Sequence, residues 1–433
     1  MKTVSFLGFG KSNRAVFEYL RAFSHLSFLI RDEGREISSP PKGVTLLLGE
    51  DCFSPRGEDI IFLSPSVRRE RREVRALLDG GAVALSDAEL FFLTEPESVI
   101  AISGSDGKST TAALVGKMLE LSGIKTEVCG NFGIPMTPLA EKRDTFFVAE
   151  LSSFTLRYLK PRVLRAAITN ITPNHLNWHE SFEEYTEAKL GIYENANEAI
   201  INAEEPRVFG IKPFAAFSVE KSFKELSGQM RAEVYYTLED GWIRRNGENY
   251  ILREEVALFG LHNAKNALCA LALTEEKADK DACKTALRTF RGLAHRMELV
   301  GEYCGQRFYD SSIDSTPERT RATLSSFSGR AAVILGGRDK GVPYGPLLSA
   351  LDGKAAAIVL LGENADALFA FFKNAGLEIP IALARDMDEA VYLAKGFGVD
   401  VILSPAATSF DRYANFEARG QDFVRAVKER IKK

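Results

Sequence analysis

The sequence predicts an α/β protein of three domains, on three observations. Short apolar runs alternate with helical stretches over residues 1–93, a glycine-rich turn joins a buried run to a helix within 98–121, and a second alternating pattern resumes after residue 295. The chain has 433 residues, more than one hydrophobic core usually serves.

In the first domain, 1–93, apolar runs at 4–7, 26–30, 45–48 and 59–63 with a helical stretch at 13–23 read as a Rossmann-like, doubly wound parallel sheet. The second, 94–294, opens near Thr94-Glu95-Pro96; its run 98–102 stops at GSDGKSTT and 112–121 has helical spacing, the layout of a P-loop ATPase-type α/β domain. Runs at 146–149 and 166–170 continue its sheet. A strand-rich stretch from about 208 to 258 carries the turn signals Asp240-Gly241 and Asn246-Gly247. In the third, 295–433, runs at 331–335, 356–361 and 399–403 between helical patterns predict another Rossmann-like α/β domain, with ligands outside the carboxyl ends of its strands.

Composition excludes several classes. With 45% hydrophobic and 26% charged residues and a net charge of -4, no basic excess points to a nucleic-acid partner. The N-terminus enters a β-like run at once and no apolar run reaches membrane length, so a cytoplasmic protein without a membrane partner is expected. The five cysteines are scattered and never in CxxC spacing, which suggests reduced thiols rather than zinc or disulfides.

Gly104-Ser105-Asp106-Gly107-Lys108-Ser109-Thr110 places two glycines where backbone N–H groups must approach an anion, ahead of a helix whose positive end points the same way. Lys108 would neutralise β and γ oxygens, and Ser109 or Thr110 offers a hydroxyl to Mg2+. The string is the shortened GxxGKST form, since Ile102 stands where the longer pattern has glycine. Gly8-Phe9-Gly10-Lys11-Ser12-Asn13 also joins a strand to a helix, but Asn13 replaces the third glycine of a dinucleotide fingerprint; a diphosphate site and a plain tight turn both fit. The loop at Ser64 falls at the same sheet edge.

Glu150 ends an apolar strand, where a carboxylate can meet a bound triphosphate through Mg2+, and His175 follows the next strand as a second candidate. Lys189 lies on an amphipathic helix, and spacing alone leaves it a solvated lysine.

Taken together, GSDGKST, CGNFGIP, VAELSSFTL, NITPNHLNWH, YTEAKLGIYE, GLHNAKNAL, GLAHRMELV, ILGGRDKG and SPAATSFDRYANFEARG resemble the Mur ligases of peptidoglycan synthesis in order and over nearly the whole chain. ELSSF with SPAATSFD favours the branch that adds D-glutamate. The resemblance implies a monomeric ATP-dependent ligase with UDP-N-acetylmuramoyl-L-alanine and D-glutamate as substrates and two Mg2+ ions. It implies UDP contacts at Gly10, Lys11, Ser12, Arg31 and Ser64, and muramoyl contacts at Asn131 and Ser152. Gly104 to Thr110 would hold the triphosphate, with Asn263, Asn266, Arg296 and Asp310 around the nucleotide. Ser109, Glu150, His175 and an N-carbamylated Lys189 would serve the metals. Ser315, Lys340, Ser409, Phe410 and Phe416 would face the incoming amino acid.

The implied chemistry converts a carboxylate to an acyl phosphate, which the amine of the D-amino acid then attacks, expelling phosphate. Lys108, His175, Lys189 and Arg296 are the candidate catalytic groups, acting by charge stabilisation and positioning. One stretch departs from the pattern. Where the D-glutamate-adding branch usually has Asn-Asp-Ser-Lys-Ala-Thr-Asn, an ungapped placement gives Asp310-Ser311-Ser312-Ile313-Asp314-Ser315-Thr316, leaving Asp310 or Asp314 to take the acid's role and loosened acceptor selection expected. A nucleotide switch would need only the phosphate loop and Glu150, and a nicotinamide oxidoreductase would rest on Gly8 and Gly10 alone.

Overall fold

The computed structural model describes residues 2–34, 36–37, 39–258, 260–339 and 341–430. They divide into two compact units, Met1–Phe290 and Arg291–Lys433. The first carries two sheets, so the expected region 1–93 and all but the last four residues of 94–294 share one compact unit. The second carries one.

The first sheet consists of β1 (Lys2–Leu7), β2 (Leu26–Asp32), β3 (Thr45–Leu48), β4 (Ile60–Leu63) and β5 (Val83–Leu85), all parallel in the order β3-β2-β1-β4-β5. The chain winds one way from β1 and then returns to the other side, so the turn after β1 and the loop after β4 meet at a switch point. Gly8 has φ +77°, and a Cβ there would press on Ser64 Cβ at 2.9 Å. Asn13, in place of the third glycine, is buried and donates its amide to the carbonyls of Gly8 at 2.7 Å and Phe62 at 3.2 Å. It ties the end of β1 to β4.

The second sheet runs β6 (Val99–Ser103), β7 (Thr126–Gly130), β8 (Phe146–Glu150), β9 (Arg162–Ile168), β10 (Asn195–Asn202), β11 (Ala215–Ser218), β12 (Val234–Glu239), β13 (Trp242–Arg245) and β14 (Glu248–Leu252) in the order β14-β13-β12-β11-β10-β9-β6-β8-β7. It is parallel from β7 to β12, and an antiparallel meander adds β13 and β14. Both faces of its centre are covered. Ile100 and Ile102 pack with the helices Lys108–Leu121 and Leu261–Thr274, while Val99 and Ala101 pack with Phe91, Leu156 and Tyr185 on the other side. That is why β6 reads as an unbroken apolar run.

In the second unit, β15 (Glu298–Tyr303), β16 (Gln306–Asp310), β17 (Ala331–Leu335), β18 (Ala355–Leu361), β19 (Ile381–Ala384) and β20 (Asp400–Leu403) have the order β15-β16-β20-β17-β18-β19. Only β15 pairs antiparallel among these described strands. The late strand β20 inserts between β16 and β17, bringing Asp310, Ser404 and Gly336 to one edge. No described helix is long and apolar enough to cross a membrane.

Candidate active site

The phosphate loop leaves β6 beside β9 and enters the helix Lys108–Leu121 through Gly107 at φ +81°. Its two glycines are required by their surroundings. A Cβ on Gly104, at φ +143°, would collide with Thr169 Oγ1, and one on Gly107 with Asn266 Oδ1. Asn266 in turn donates to Asn263 Oδ1 at 3.1 Å, so both asparagines border the loop. The loop is stitched to the segment after β9: Asp106 N donates to Asn170 Oδ1 at 3.0 Å, and Ser105 Oγ donates to Thr172 O at 2.9 Å. Lys108 Nζ folds back on the carbonyls of Gly104 and Ser105 at 2.8 Å each. Ser109 is buried and Thr110 half-buried.

Lys189 is not the solvated lysine its helix suggested. The helix Phe182–Leu190 presents it inward, 2% exposed, and Nζ donates to Gly104 O at 2.7 Å. Burial first, then Lys108, holds its pKa well below the usual lysine value, against the opposing pull of Glu150 and Asp106.

Glu150 closes β8, one strand from β6, and is 1% exposed. Asn131 Nδ2 donates to its Oε1 at 2.7 Å, whereas Oε2 is buried without a hydrogen-bond partner. An orphaned carboxylate oxygen next to a phosphate loop suits a hard cation, so the donor set of Glu150 and Ser109 fits Mg2+. Ser152 caps a short helix by accepting Thr155 N at 3.1 Å. His175 is exposed at φ +53°, its ring against Phe154 with centroids 4.9 Å apart.

At the edge of the first sheet, Gly10 N-caps the helix Lys11–Leu20, and Ser12 and Ser64 are half-buried there. Lys11 Nζ donates to Gly133 O at 2.7 Å, which ties the turn to the CGNFGIP segment. Arg31 corrects the expectation of a UDP contact. It is 0% exposed, and its guanidinium is taken by Ser5 Oγ, the carbonyls of Cys52 and Ser54, and Glu58. Burial lowers its pKa to about 10, and the ion pair with Glu58 compensates the buried charge. It is a brace for β2, with no surface left for a ligand.

In the second unit, Asp310 ends β16 fully buried, its Oδ2 on His295 Nδ1 at 2.7 Å and its Oδ1 accepting Ser312 N at 2.8 Å. Asp314 is also buried and accepts Ser404 Oγ at 2.7 Å, and burial raises its pKa. Neither carboxylate faces solvent. Arg296 is exposed, Ser315 and Phe416 are half-buried, Ser409 is buried, and Phe410 is 60% exposed. Lys340 lies outside the described residues. Ala406 in the SPAATSFD loop sits at φ +56° although buried, a strained backbone of the kind concentrated at functional sites.

Sequence reasoning missed three groups. Thr169 fills the space behind Gly104, Asn170 receives the loop's Asp106 N–H, and His295 holds Asp310. All three lie in or beside quoted strings, NITPNHLNWH and GLAHRMELV, from which only His175 and Arg296 were taken.

Comparison with known proteins gives one consistent answer. Residues 102–274 match the Mur ligase middle domain, and residues 295–403 match the Mur ligase, glutamate ligase domain. A UDP-N-acetylmuramoylalanine--D-glutamate ligase of Acetivibrio thermocellus is 33% identical, covering 98% of this chain and 96% of the relative. A protein of the same name from Clostridium beijerinckii is 36% identical over 89% of this chain and 86% of its own length. Among solved structures, the UDP-N-acetylmuramate-alanine ligase of Thermotoga maritima has a TM-score of 0.60 at 18% identity, with 99% of this chain and 100% of that one covered. A murein peptide ligase from Psychrobacter arcticus has a TM-score of 0.51 at 18% identity, covering 99% of each. The structural likenesses speak for the fold.

Proposed function

The chain belongs to the Mur ligase family, and from that premise we propose that it joins D-glutamate to UDP-N-acetylmuramoyl-L-alanine with ATP, through an acyl phosphate, in peptidoglycan precursor synthesis. The observation that carries the reading is the buried Lys189 amine set 2.7 Å from the carbonyl of Gly104, inside the phosphate loop. A permanent cation in that position would serve a triphosphate, but one depressed to the neutral amine can add CO2. The nitrogen lone pair attacks the carbon of CO2, one N–H proton leaves to solvent, and a carbamate remains. That carbamate is a hard oxygen ligand like Glu150.

Glu150, Ser109, His175 and carbamylated Lys189 are the residues that would hold two Mg2+, which would supply charge neutralisation between the γ-phosphate and the substrate carboxylate. The chain's own part is positioning. The phosphate loop offers backbone N–H groups at a helix N-terminus to the triphosphate, and Lys108 can swing from its own loop carbonyls to the β and γ oxygens. Asn131, bonded to Glu150, and Ser152, two residues after it, are assigned to the muramoyl part; Gly10, Lys11, Ser12 and Ser64 flank the switch point assigned to UDP. Asn263, Asn266 and Arg296 are assigned to the nucleotide, with Asp310 holding His295 beside Arg296 rather than touching the ligand, and Ser315, Lys340, Ser409, Phe410 and Phe416 to the acceptor. We place the reaction in the cytoplasm, on a monomer of three domains bounded near residues 93 and 294.

The test is phosphate release from ATP with UDP-N-acetylmuramoyl-L-alanine, with and without D-glutamate. Release that needs both substrates is expected. Release with neither would favour a nucleotide switch and overturn the reading.

A further inference from the structure

We propose that Arg68 and Trp178 are positioning residues for His175, locking the turn that carries it to the loop that leaves β4. The inference deepens the ligase reading and rests on it, since it takes His175 as a group that serves the metal.

His175 sits at φ +53°, a backbone conformation uncommon for residues other than glycine. Its own carbonyl accepts Trp178 N at 2.9 Å and His179 N at 3.0 Å, closing a tight turn. Support arrives from the first sheet. Trp178 Nε1 donates to Ser66 O at 2.8 Å, and Arg68 Nη1 donates back to Trp178 O at 2.8 Å. The Arg68 guanidinium lies over the indole, 5.3 Å from its centre, and Nη2 reaches Glu180 at 3.0 Å and Glu184 at 3.2 Å. A planar fork that makes all these contacts at once fixes orientation in a way an ammonium cannot.

The clamp reaches the imidazole through one ring. Phe154 packs on Trp178 with centroids 4.5 Å apart and on His175 at 4.9 Å. At its other end the segment is pinned to the phosphate loop, where Thr172 N donates to Ser105 Oγ at 2.8 Å. The turn is therefore held between the phosphate loop and the loop after Ser64, which stands at the switch point of the first sheet. Nothing in the chemistry of ATP requires a tryptophan bonded to that loop. A histidine whose placement depends on the first sheet does.

Mn2+ uptake in the presence of ATP, followed by the relaxation of solvent protons, reads the metal site without turnover. Trp178→Phe keeps a ring against Phe154 but removes the N–H; Arg68→Ala removes the clamp and Arg68→Lys restores its charge without the fork. Trp178→Phe and Arg68→Ala should each raise the half-saturating Mn2+ concentration three- to tenfold, Arg68→Lys should recover part of that loss, and thermal midpoints should stay within a few degrees of the parent. Tyr19→Phe is the control, because Tyr19 Oη donates to Glu141 at 3.1 Å and joins the same two regions elsewhere. Equal half-saturation in all proteins would overturn the proposal, as would a shift by Tyr19→Phe as large as that by Trp178→Phe. Should the parent protein itself take up no Mn2+ with ATP, the ligase reading falls as well.

Discussion

Asn131 donates its side-chain amide to one oxygen of Glu150 across 2.7 Å and leaves the other oxygen of that carboxylate buried without a partner. A buried acceptor left empty costs stability unless something binds there. Glu150→Gln should therefore fold at least as well as the parent by thermal melting, yet lose activity by a factor on the order of 100 or more, the scale of removing a charge-stabilising group. Activity within a few-fold of the parent would show that the oxygen is not a metal ligand.

For Lys189, the inward amine and its lowered pKa predict that Lys189→Ala loses most of the ligase activity. Short carboxylates such as formate or acetate, added in excess, should restore part of it by supplying the missing oxygen ligand. Lys189→Arg should stay inactive, because a guanidinium does not form the carbamate. Phosphate release measured in all three conditions checks the role, and full activity of the alanine variant would rule it out.

Gly107 holds φ +81° with Asn266 directly beyond it. An alanine there meets a backbone penalty of about 1–2 kcal/mol and a side chain that has to be displaced. Gly107→Ala should weaken ATP binding at least tenfold in calorimetry while leaving the second unit's unfolding unchanged. Unaltered ATP affinity would mean that the loop is not the triphosphate cradle.

The bond to Asp310 raises the pKa of His295, more than burial lowers it, with Glu298 and Glu417 acting in the same direction. A raised folded-state pKa means that the pair's stabilisation is fully present below the ordinary histidine value of about 6.5 and is lost as pH rises through the higher folded value. The second unit should thus melt more easily as pH rises above about 6.5, and His295→Gln should flatten that slope. A slope identical in the variant would assign the pH dependence to other groups.

Much of the fold was legible because parallel strands covered on both faces read as apolar runs; β3 and β17 lie where 45–48 and 331–335 were expected. β10 was not, since Asn195, Asn197 and Glu198 interrupt its first half while only its last four residues are buried. At the site, the phosphate loop announced itself by two glycines that other side chains crowd. Lys189 did not, because the helix moment is set by neighbours and the inward face is decided by Gly104, 85 positions earlier. Arg31, given as a UDP contact only by the resemblance, is engaged by Glu58, 27 positions away, a pairing that local sequence does not reveal.

The expectation of a loosened acceptor preference rests on the segment 310–316. Ile313 is half-buried where the D-glutamate-adding branch usually has lysine, Asp310 is committed to His295, and Asp314 to Ser404. Nearby Arg419 is spent on Ser312 Oγ at 2.9 Å and on the carbonyls of Ser312 and Ala407. This segment consequently offers no cation to a side-chain carboxylate, and losing one partly solvated ion pair costs about 1 kcal/mol, less than tenfold in discrimination. With UDP-N-acetylmuramoyl-L-alanine and ATP held saturating, D-glutamine should be used with a kcat/KM within about tenfold of that for D-glutamate. A preference of a hundredfold or more for the acidic acceptor would place the selecting cation elsewhere in the second unit and end the argument for a relaxed acceptor loop.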